Sequence, residues 1–264
     1  RVGDPQAPVY PTNLARTCAR CHSDATLMGA FNLPTRQHDD YMTSVHARAL
    51  FEKGDISAPT CNDCHGSHGA TPPGVAGVAN VCGSCHGREA TLFREVEAKR
   101  HLDLEPCIQC LLCHGNHAIK PPTDTMVGVG PESTCTGCHG EGEPGYRAAA
   151  QMADFLIRLR SRLEEASGLL DDAERAGVEV SPDRFAMRTA QDDLVESEVL
   201  VHSFDMERCA AAAAKGLATA DEGVAAGHRA FAELRTRRTG LVLSLIVILT
   251  VIISLGLHIR RIER

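Results

Sequence analysis

The stretch Cys61-Asn-Asp-Cys64-His65-Gly66-Ser67-His68 is followed, after a short run rich in proline and glycine, by Cys82-Gly-Ser-Cys85-His86. Two cysteines separated by two residues and followed directly by a histidine form the attachment signature of c-type haem. Both thiols bond to the haem vinyl groups, and the adjacent histidine becomes the proximal iron ligand. The doubled motif therefore predicts two covalently bound haems close together in the chain.

The same signature occurs five times. Its cysteines are Cys18, Cys21, Cys61, Cys64, Cys82, Cys85, Cys110, Cys113, Cys135 and Cys138, and its histidines are His22, His65, His86, His114 and His139. A disulfide framework does not explain why a histidine follows each cysteine pair. Zinc fingers also use Cys-x-x-Cys, but without a histidine directly after every pair. We therefore expect a pentahaem cytochrome c with five covalently bound haem c groups.

Four of the motifs belong to an internal repeat. The first unit contains, in order, His46, Cys61–His65, His68, a Pro-Pro pair and Cys82–His86; the second contains His101, Cys110–His114, His117, a Pro-Pro pair and Cys135–His139. Chance does not produce this order of features twice. We expect two similar dihaem modules, preceded by one further haem.

The composition divides the chain near Gly145. Residues 1–145 contain 11 of the 12 cysteines but only 24 Leu, Ile, Val and Phe residues, against 28 Gly and Pro. So few large apolar side chains predict disorder or a cross-linked scaffold. Five covalently held porphyrins would supply the missing core. We therefore expect a haem-packed domain at 1–145, of mostly α and irregular structure.

The motifs resemble those of the multihaem cytochromes c with doubled CxxCH motifs, a group that includes the small membrane-anchored quinol dehydrogenase cytochromes. The resemblance covers about residues 18–205 and depends on Ser44-Val45-His46, the two Cys-x-x-Cys-His-Gly-x-His segments and Val201-His202-Ser203-Phe204-Asp205. It implies bis-histidine haems that stack closely enough for electrons to hop between them. The chain differs from the tetrahaem quinol dehydrogenases in having five haem motifs and a C-terminal anchor.

Bis-histidine ligation of five haems requires five distal histidines among the 13 in the chain. A histidine three residues beyond a proximal ligand cannot easily reach the same iron, but it can bind the iron of a neighbouring haem. We therefore expect five distal ligands, with His38 in reserve: His46, His68, His101, His117 and His202.

Three features leave alternatives open. Met28 and Met126 could serve as axial ligands, which would raise the potential of that haem; isolated methionines also serve as core residues. Cys107 could replace Cys110 as the partner of Cys113, although the standard spacing favours Cys110. Cys209 has no partner in the sequence and is interpreted as a small apolar core residue.

The segment 146–236 has the pattern of long helices. Apolar residues recur every three or four positions from Phe155 to Leu170, Gly177 ends this pattern, and Ser181-Pro182-Asp183 is typical of a helix start. A second seam of alternating three- and four-residue steps runs from Met187 to Phe204. We expect an antiparallel helical hairpin over 146–236, with His202 on its second helix.

Residues 237–264 contain a predicted transmembrane anchor and a short tail. From Gly240 to Leu257 the chain has 18 residues without a charge, enough to span the hydrocarbon of a bilayer. Arginines flank it equally on both sides, so the positive-inside rule does not orient it. Because haem is attached to c-type cytochromes outside the cytoplasm, we expect the N-terminal body on the periplasmic side of a bacterial cytoplasmic membrane, the tail in the cytoplasm, and a leader ahead of Arg1.

These features together predict an electron-transfer subunit. We expect it to pass electrons between a membrane quinone-reactive or b-type cytochrome subunit and a soluble or extracytoplasmic redox partner, with membrane lipid around its anchor. The alternative is an enzyme, either a quinol dehydrogenase or a small-oxyanion reductase in its own right. The formal charge of −7, which ten haem propionates would make more negative, argues against nucleic acid as a partner.

Overall fold

The computed structural model describes residues 3–67, 77–96 and 109–263. Within these ranges the chain is helical or irregular and has no strand, which confirms the mostly α fold class. Backbone contacts divide it into two units, Arg1–Ala153 with Val199–Met206, and Asp154–Glu198 with Glu207–Arg264. The packing of the first domain around haem, and the boundaries at 145 and 236, stay predictions.

The first unit consists of short helices joined by irregular segments. Its α-helices are α1 (Pro11–His22), α2 (Ala25–Gly29), α3 (Gln37–Met42), α4 (Val45–Phe51), α5 (Cys61–His65), α6 (Gly87–Glu95) and α7 (Gln109–His114). Single 3₁₀ segments cover Val78–Ser84, Asp124–Met126, Cys135–Gly137 and Val201–Ser203.

Side-chain caps explain where several of these helices begin. Pro11 occupies the first turn of α1, where its missing N–H is not needed. The Asp24 carboxylate accepts from two backbone N–H groups at the start of α2, and the buried Ser44 hydroxyl accepts from Ala47 N at 3.1 Å in α4. At α5, the Asp63 carboxylate accepts from Thr60 N at 2.8 Å. These local contacts place the first two haem motifs on ordered helices.

The two units of the sequence repeat have the same local structure. In each unit the first haem motif forms an α-helix, α5 or α7, and a glycine with a positive φ follows it, Gly66 (φ 68°) or Gly115 (φ 71°). Glycine adopts this conformation without a steric penalty, and it turns the chain at the end of the helix. In each unit the second motif begins in a 3₁₀ turn. The repeat found in the sequence is therefore a repeat of conformation as well.

The polypeptide core of the first unit is small. Helix α1 packs on α2, α3, α4 and α5, and Ala15, Tyr41 and Ala47 form a buried cluster against which Cys61 packs. The Tyr41 hydroxyl donates to the Pro59 carbonyl at 3.1 Å, which ties α3 to the residues ahead of α5. An alanine-rich cluster of this kind buries little apolar area, so it stabilises the unit only weakly.

The second unit contains three long helices. These are α8 (Pro144–Arg175), whose first ten residues belong to the first unit, α9 (Ser181–Leu200) and α10 (Met206–Ile262). Gly177, at φ 84°, follows the end of α8, where Val178 N donates to the Ala173 carbonyl. The buried seam of α9 contains Met187, Ala190, Leu194 and Ser197, as the sequence pattern predicted.

Ion pairs show the relative directions of the three helices. Arg160 of α8 contacts Glu198 at the end of α9 at 2.5 Å, and Arg184 at the start of α9 contacts Asp171 of α8 at 3.4 Å, so α8 and α9 are antiparallel. Lys215 of α10 contacts Asp193 of α9 at 2.6 Å. The Arg160–Glu198 and Arg184–Asp171 pairs are partly exposed, so each adds little to the free energy of unfolding, whereas Asp193 is buried.

Small residues let α10 approach its neighbours closely. A Cβ atom at Gly216 would lie 3.0 Å from a Leu159 methyl carbon, and one at Gly227 would lie 2.6 Å from Leu169 Cβ. Gly223 is similarly close to Met187. The first part of α10 therefore packs in parallel with α8 as the third helix of a bundle.

The chain between α9 and α10 differs from the expected hairpin. Helix α9 ends at Leu200, a 3₁₀ turn covers Val201–Ser203, and Phe204 is left-handed at φ 51°. A helix cannot continue through that conformation. Val201 and Phe204 therefore do not extend the seam of α9, and residues 146–236 contain three helices rather than two.

Helix α10 continues without a break from the bundle into the predicted anchor. One face of its first part is buried as far as Ala230, whereas the apolar segment from Gly240 to Leu257 is exposed throughout. Among the described residues, α10 is the one helix that is long enough and apolar enough to cross a membrane. At 1.5 Å per residue this segment is about 27 Å long, close to the thickness of a bilayer core. It is compatible with a single-pass anchor.

Candidate functional site

Each of the five haem motifs forms one helical turn. Motifs one, two and four lie in α1, α5 and α7. In motifs three and five, the N–H groups of His86 and His139 donate to the carbonyls of Cys82 (2.9 Å) and Cys135 (3.0 Å), which closes the same turn. Residues three and four apart lie on the same side of such a turn. Two thiols and one imidazole therefore share a face, as covalent attachment of one haem requires.

The structure brings His65 and His117 together. Their ring centres are 5.8 Å apart and their planes differ by 16°. An imidazole nitrogen binds a first-row metal ion at about 2 Å, so histidines on opposite sides of one metal have ring centres about 6 Å apart. The spacing of this pair fits two axial ligands of one iron.

Two further pairs have the same spacing. His114 and His202 have ring centres 6.1 Å apart with planes at 16°, and His46 and His86 have ring centres 6.4 Å apart with planes at 41°. Each pair joins a predicted proximal histidine to a predicted distal one. The pairing itself was not predictable from the sequence, because it depends on which segments the fold brings together.

Three of these histidines have a pKa below the usual value for the side chain. Burial lowers the pKa of His46, His114 and His117, and the neighbouring imidazole of the pair lowers it further. A neutral imidazole is the form that binds a metal. The setting of these pairs therefore favours the ligating form.

His202 is held in an orientation suited to ligation. Its Nδ1–H donates to the Val199 carbonyl at 3.0 Å, which leaves Nε2 free for a metal. The segment that carries it contacts α6, where Phe93 and Phe204 meet edge to face at 6.0 Å. His202 lies on the 3₁₀ turn after α9, so the prediction that it lies on the second helix of the hairpin was wrong.

In motifs one and five the proximal histidine has no second histidine beside it among the described residues. Within residues 3–67, 77–96 and 109–263, no second histidine ring stacks on His22 or His139. The Glu143 carboxylate lies 3.7 Å from His139 Nδ1, and a Cβ atom at Gly145 would lie 2.4 Å from the His139 ring. Neither residue could be identified from the sequence as part of the site, because neither belongs to a haem motif.

Of the other candidate residues from the sequence, three lie outside the described residues and four lie within them. His68, His101 and Cys107 lie outside the described residues, so their assignments stay predictions. His38 contacts Asp39 Oδ1 through Nδ1 at 3.2 Å. Met28 is buried in α2, and Met126 is half-buried. Cys209 is buried on α10, as expected of a core residue.

Thiols of successive motifs contact one another. A hydrogen bond joins Cys18 and Cys61, and burial with this neighbour raises the pKa of Cys61 to about 12. The Cys110 thiol donates to Cys82, which lowers the pKa of Cys82 to about 6 and raises that of Cys110. No disulfide joins the described cysteines, and the described residues contain no group of three or more metal-ligating side chains.

The comparisons with known proteins agree with the haem interpretation. A family described as "Doubled CXXCH motif" matches residues 52–91, which contain motifs two and three. No curated protein and no solved structure is similar to the chain. The match indicates covalently bound c-type haem and a multihaem c-type cytochrome in electron transfer. The count of five and the relation to quinol dehydrogenase cytochromes stay predictions.

Proposed function

We propose that this chain is a membrane-anchored pentahaem cytochrome c that passes electrons between a quinol-linked membrane respiratory complex and a redox partner outside the cytoplasm. Haem c, when bound, supplies one-electron redox chemistry. The chain contributes ten attaching thiols, five proximal histidines and a set of distal histidines. It also contributes an apolar helix that would hold these groups at a membrane surface.

The observation that carries the proposal is the set of three histidine pairs, His65–His117, His86–His46 and His114–His202, with ring centres about 6 Å apart. Two imidazoles on one iron leave no coordination position for a substrate. At these three haems this favours electron transfer over a quinol dehydrogenase or an oxyanion reductase, since a haem that reduces a substrate needs an exchangeable ligand.

The composition of the predicted anchor favours a site for quinol oxidation outside this chain. A quinol releases two electrons and two protons, and the segment from Gly240 to Leu257 contains no ionisable residue that would accept a proton. We therefore assign quinol oxidation to a partner subunit in the membrane. On the opposite side of the transfer, the negative charge of the chain favours an extracytoplasmic partner with a basic face.

The proposal is tested on the full chain purified from native membranes in mild detergent. The intact mass should exceed the polypeptide mass by five haems, and the ferric spectra should be low-spin. A redox titration should show several one-electron steps at low potential, as expected for bis-histidine haems. A quinone-reactive or b-type cytochrome subunit should co-purify with the chain.

Two cysteine variants serve as matched controls. Cys138→Ser removes one attachment bond, which should leave the fifth haem incompletely bound. Cys107→Ser should keep all five haems, because the standard spacing uses Cys110 and Cys113. Fewer than five haems in mature wild-type protein, or a high-spin haem with rapid quinol oxidation or nitrite reduction by the isolated chain, would overturn the proposal.

A further inference from the structure

Building on the proposed function, we infer that Glu143 is a positioning residue for the haem of the fifth motif, Cys135–His139. Its carboxylate would hold the Nδ1 side of the His139 ring and, through its negative charge, lower the reduction potential of that haem. The motif itself does not assign this role, because Glu143 lies four residues beyond His139, in the turn that leads into α8.

The Nδ1 side of the His139 ring faces the chain that follows it. Glu143 Oε2 lies 3.7 Å from His139 Nδ1, which is the distance of an ion pair rather than of a hydrogen bond. A Cβ atom at Gly145 would lie 2.4 Å from both Nδ1 and Cε1 of the ring and 2.6 Å from Cγ. Because Nδ1 is the central atom of these three, Gly145 packs on the part of the ring that Glu143 also contacts. Neither contact involves Nε2, the nitrogen that would bind an iron.

Backbone hydrogen bonds hold Glu143 in this place. Its Oε2 atom accepts from Gly140 N at 3.0 Å, and Glu143 N donates to the Gly140 carbonyl at 3.1 Å, so the two residues close a reciprocal turn. The Glu143 carbonyl accepts from Arg147 N at 3.1 Å in the first turn of α8. The carboxylate is therefore held beside His139 by the backbone on both sides of it.

The charge of this partner has a chemical consequence. A histidine that binds a metal through Nε2 keeps its proton on Nδ1, so an N–H group would face the carboxylate. An anionic acceptor makes the imidazole a stronger base than a neutral acceptor does. A more basic ligand and a nearby negative charge both favour ferric over ferrous iron, because the ferric ion carries one more positive charge. Glu143 therefore lowers the potential of the fifth haem.

His202 has a partner of a different kind. Its Nδ1–H donates to the Val199 carbonyl, a neutral acceptor, at 3.0 Å. Two predicted axial ligands of the chain are thus held through Nδ1 by acceptors of different charge. Second-shell hydrogen bonding is one of the means by which a protein sets the potential of a haem. Haems with similar axial ligands would then differ in potential, which sets the favoured direction of electron transfer between them.

The test compares two variants of the full chain, purified in mild detergent. Glu143→Gln removes the negative charge but keeps an oxygen for the Gly140 N–H. Glu141→Gln, at an exposed position two residues earlier, removes the same charge from the same segment and is the matched control. A redox titration followed by visible spectra measures the potential of each one-electron step.

In Glu143→Gln, one of the five steps should rise to a higher potential, whereas Glu141→Gln should move every step by clearly less. Loss of a second-shell partner typically changes the property of a metal site by about 10–100-fold. The His139 and Glu143 side chains are about half exposed, and solvent screens the charge, so we expect the lower end of this range. A tenfold change in the equilibrium constant of a one-electron step is about 59 mV.

Two further measurements connect the shift to His139. Electron paramagnetic resonance of the ferric protein should show changed g values for one low-spin haem in Glu143→Gln and for none in Glu141→Gln, because these values depend on the basicity of the axial ligands. The step that rises should also be the one that is missing from a chain with Cys135→Ser and Cys138→Ser.

Equal shifts in the two glutamine variants, or no shift in either, would overturn the inference and leave the proposed function intact if five low-spin haems are present. A shift of a step that remains without the cysteines of the fifth motif would also overturn it. If a variant fails to mature, a crystal structure of the haem-loaded wild-type chain decides. A Glu143 carboxylate within about 4 Å of His139 Nδ1 supports the inference, and a larger distance overturns it. A chain without a haem at the fifth motif would refute the proposed function as well.

Discussion

Imidazoles that the sequence separates by tens of residues meet in pairs. His202 is the most distant example, because 88 positions separate it from His114 and the two rings nevertheless have centres 6.1 Å apart. The hydrogen bond from His202 Nδ1 to the Val199 carbonyl leaves only Nε2 available for a metal. At the scale of single residues, the motif therefore identifies the predicted proximal histidine of a haem, and the fold decides which predicted distal histidine lies beside it.

His202→Ala should convert one of the five haems from low-spin to high-spin, because it removes one axial ligand without touching an attachment cysteine. Electron paramagnetic resonance and visible spectra of the ferric protein measure the change. His228→Ala, at an exposed position on α10, is the matched control and should leave every haem low-spin. Identical low-spin spectra for His202→Ala and wild type would contradict the assignment.

Gly145→Ala should disturb the haem of the fifth motif, Cys135–His139. The added Cβ atom would lie 2.4 Å from the His139 ring, so either the imidazole or the start of α8 must shift. We expect a changed potential or spin state of one haem in a redox titration followed by spectroscopy. Gly140→Ala is the control, since its Cβ atom would lie 3.9 Å from Glu143. The same titration curve for both variants would show that Gly145 does not position His139.

At the scale of elements, the bundle of α8, α9 and α10 depends on close approach. Gly216, Gly223 and Gly227 of α10 meet leucine and methionine side chains, and a Cβ atom at any of these three would crowd a neighbour. Interiors packed at this density cannot absorb an added methyl group without a shift of backbone or side chain. The small residues of α10 are therefore explained by packing within the chain.

Gly227→Ala should lower the free energy of unfolding by about 1–3 kcal/mol through overpacking against Leu169 Cβ. Gly168→Ala, on the open face of α8, should raise it by about 0.5–1 kcal/mol, because glycine in a helix is less favourable than alanine. Thermal unfolding in detergent, followed by the helical circular dichroism signal, measures both changes. Stabilisation by Gly227→Ala would show that α10 does not approach α8 as described.

At the scale of the whole molecule, the anchor should place the haem sites outside the cytoplasm and the residues after Leu257 inside. Neither the apolar segment nor the flanking arginines orient the chain, so this expectation depends on where haem is attached. Protease added to cells stripped of their outer barriers should remove the haem sites and spare a short C-terminal fragment. A C-terminal epitope tag identifies that fragment, and lysed cells, in which the tag should also be lost, are the control. Haem sites that survive protease in intact stripped cells would reverse the topology.

Much of this chain could be predicted from short-range patterns. Haem attachment depends on residues one to four positions apart, so Cys61, Cys64 and His65 identify a site without knowledge of the fold. The start of α9 at Ser181 and the apolar span of α10 also follow from local chemistry, namely helix capping and transfer of apolar residues out of water.

Tertiary structure alone decided which histidines meet and where α9 ends. The partner of His65 is His117 because α5 and the chain after α7 come together, and no spacing rule expresses that contact. The apolar period of the sequence continues through Phe204, but the helix ends before it. The φ of 51° at Phe204 is held in part by the contact of its ring with Phe93. Contacts between segments distant in the chain are settled by how the whole polypeptide packs, whereas bonds to a haem and the length of a membrane span are settled by neighbouring residues.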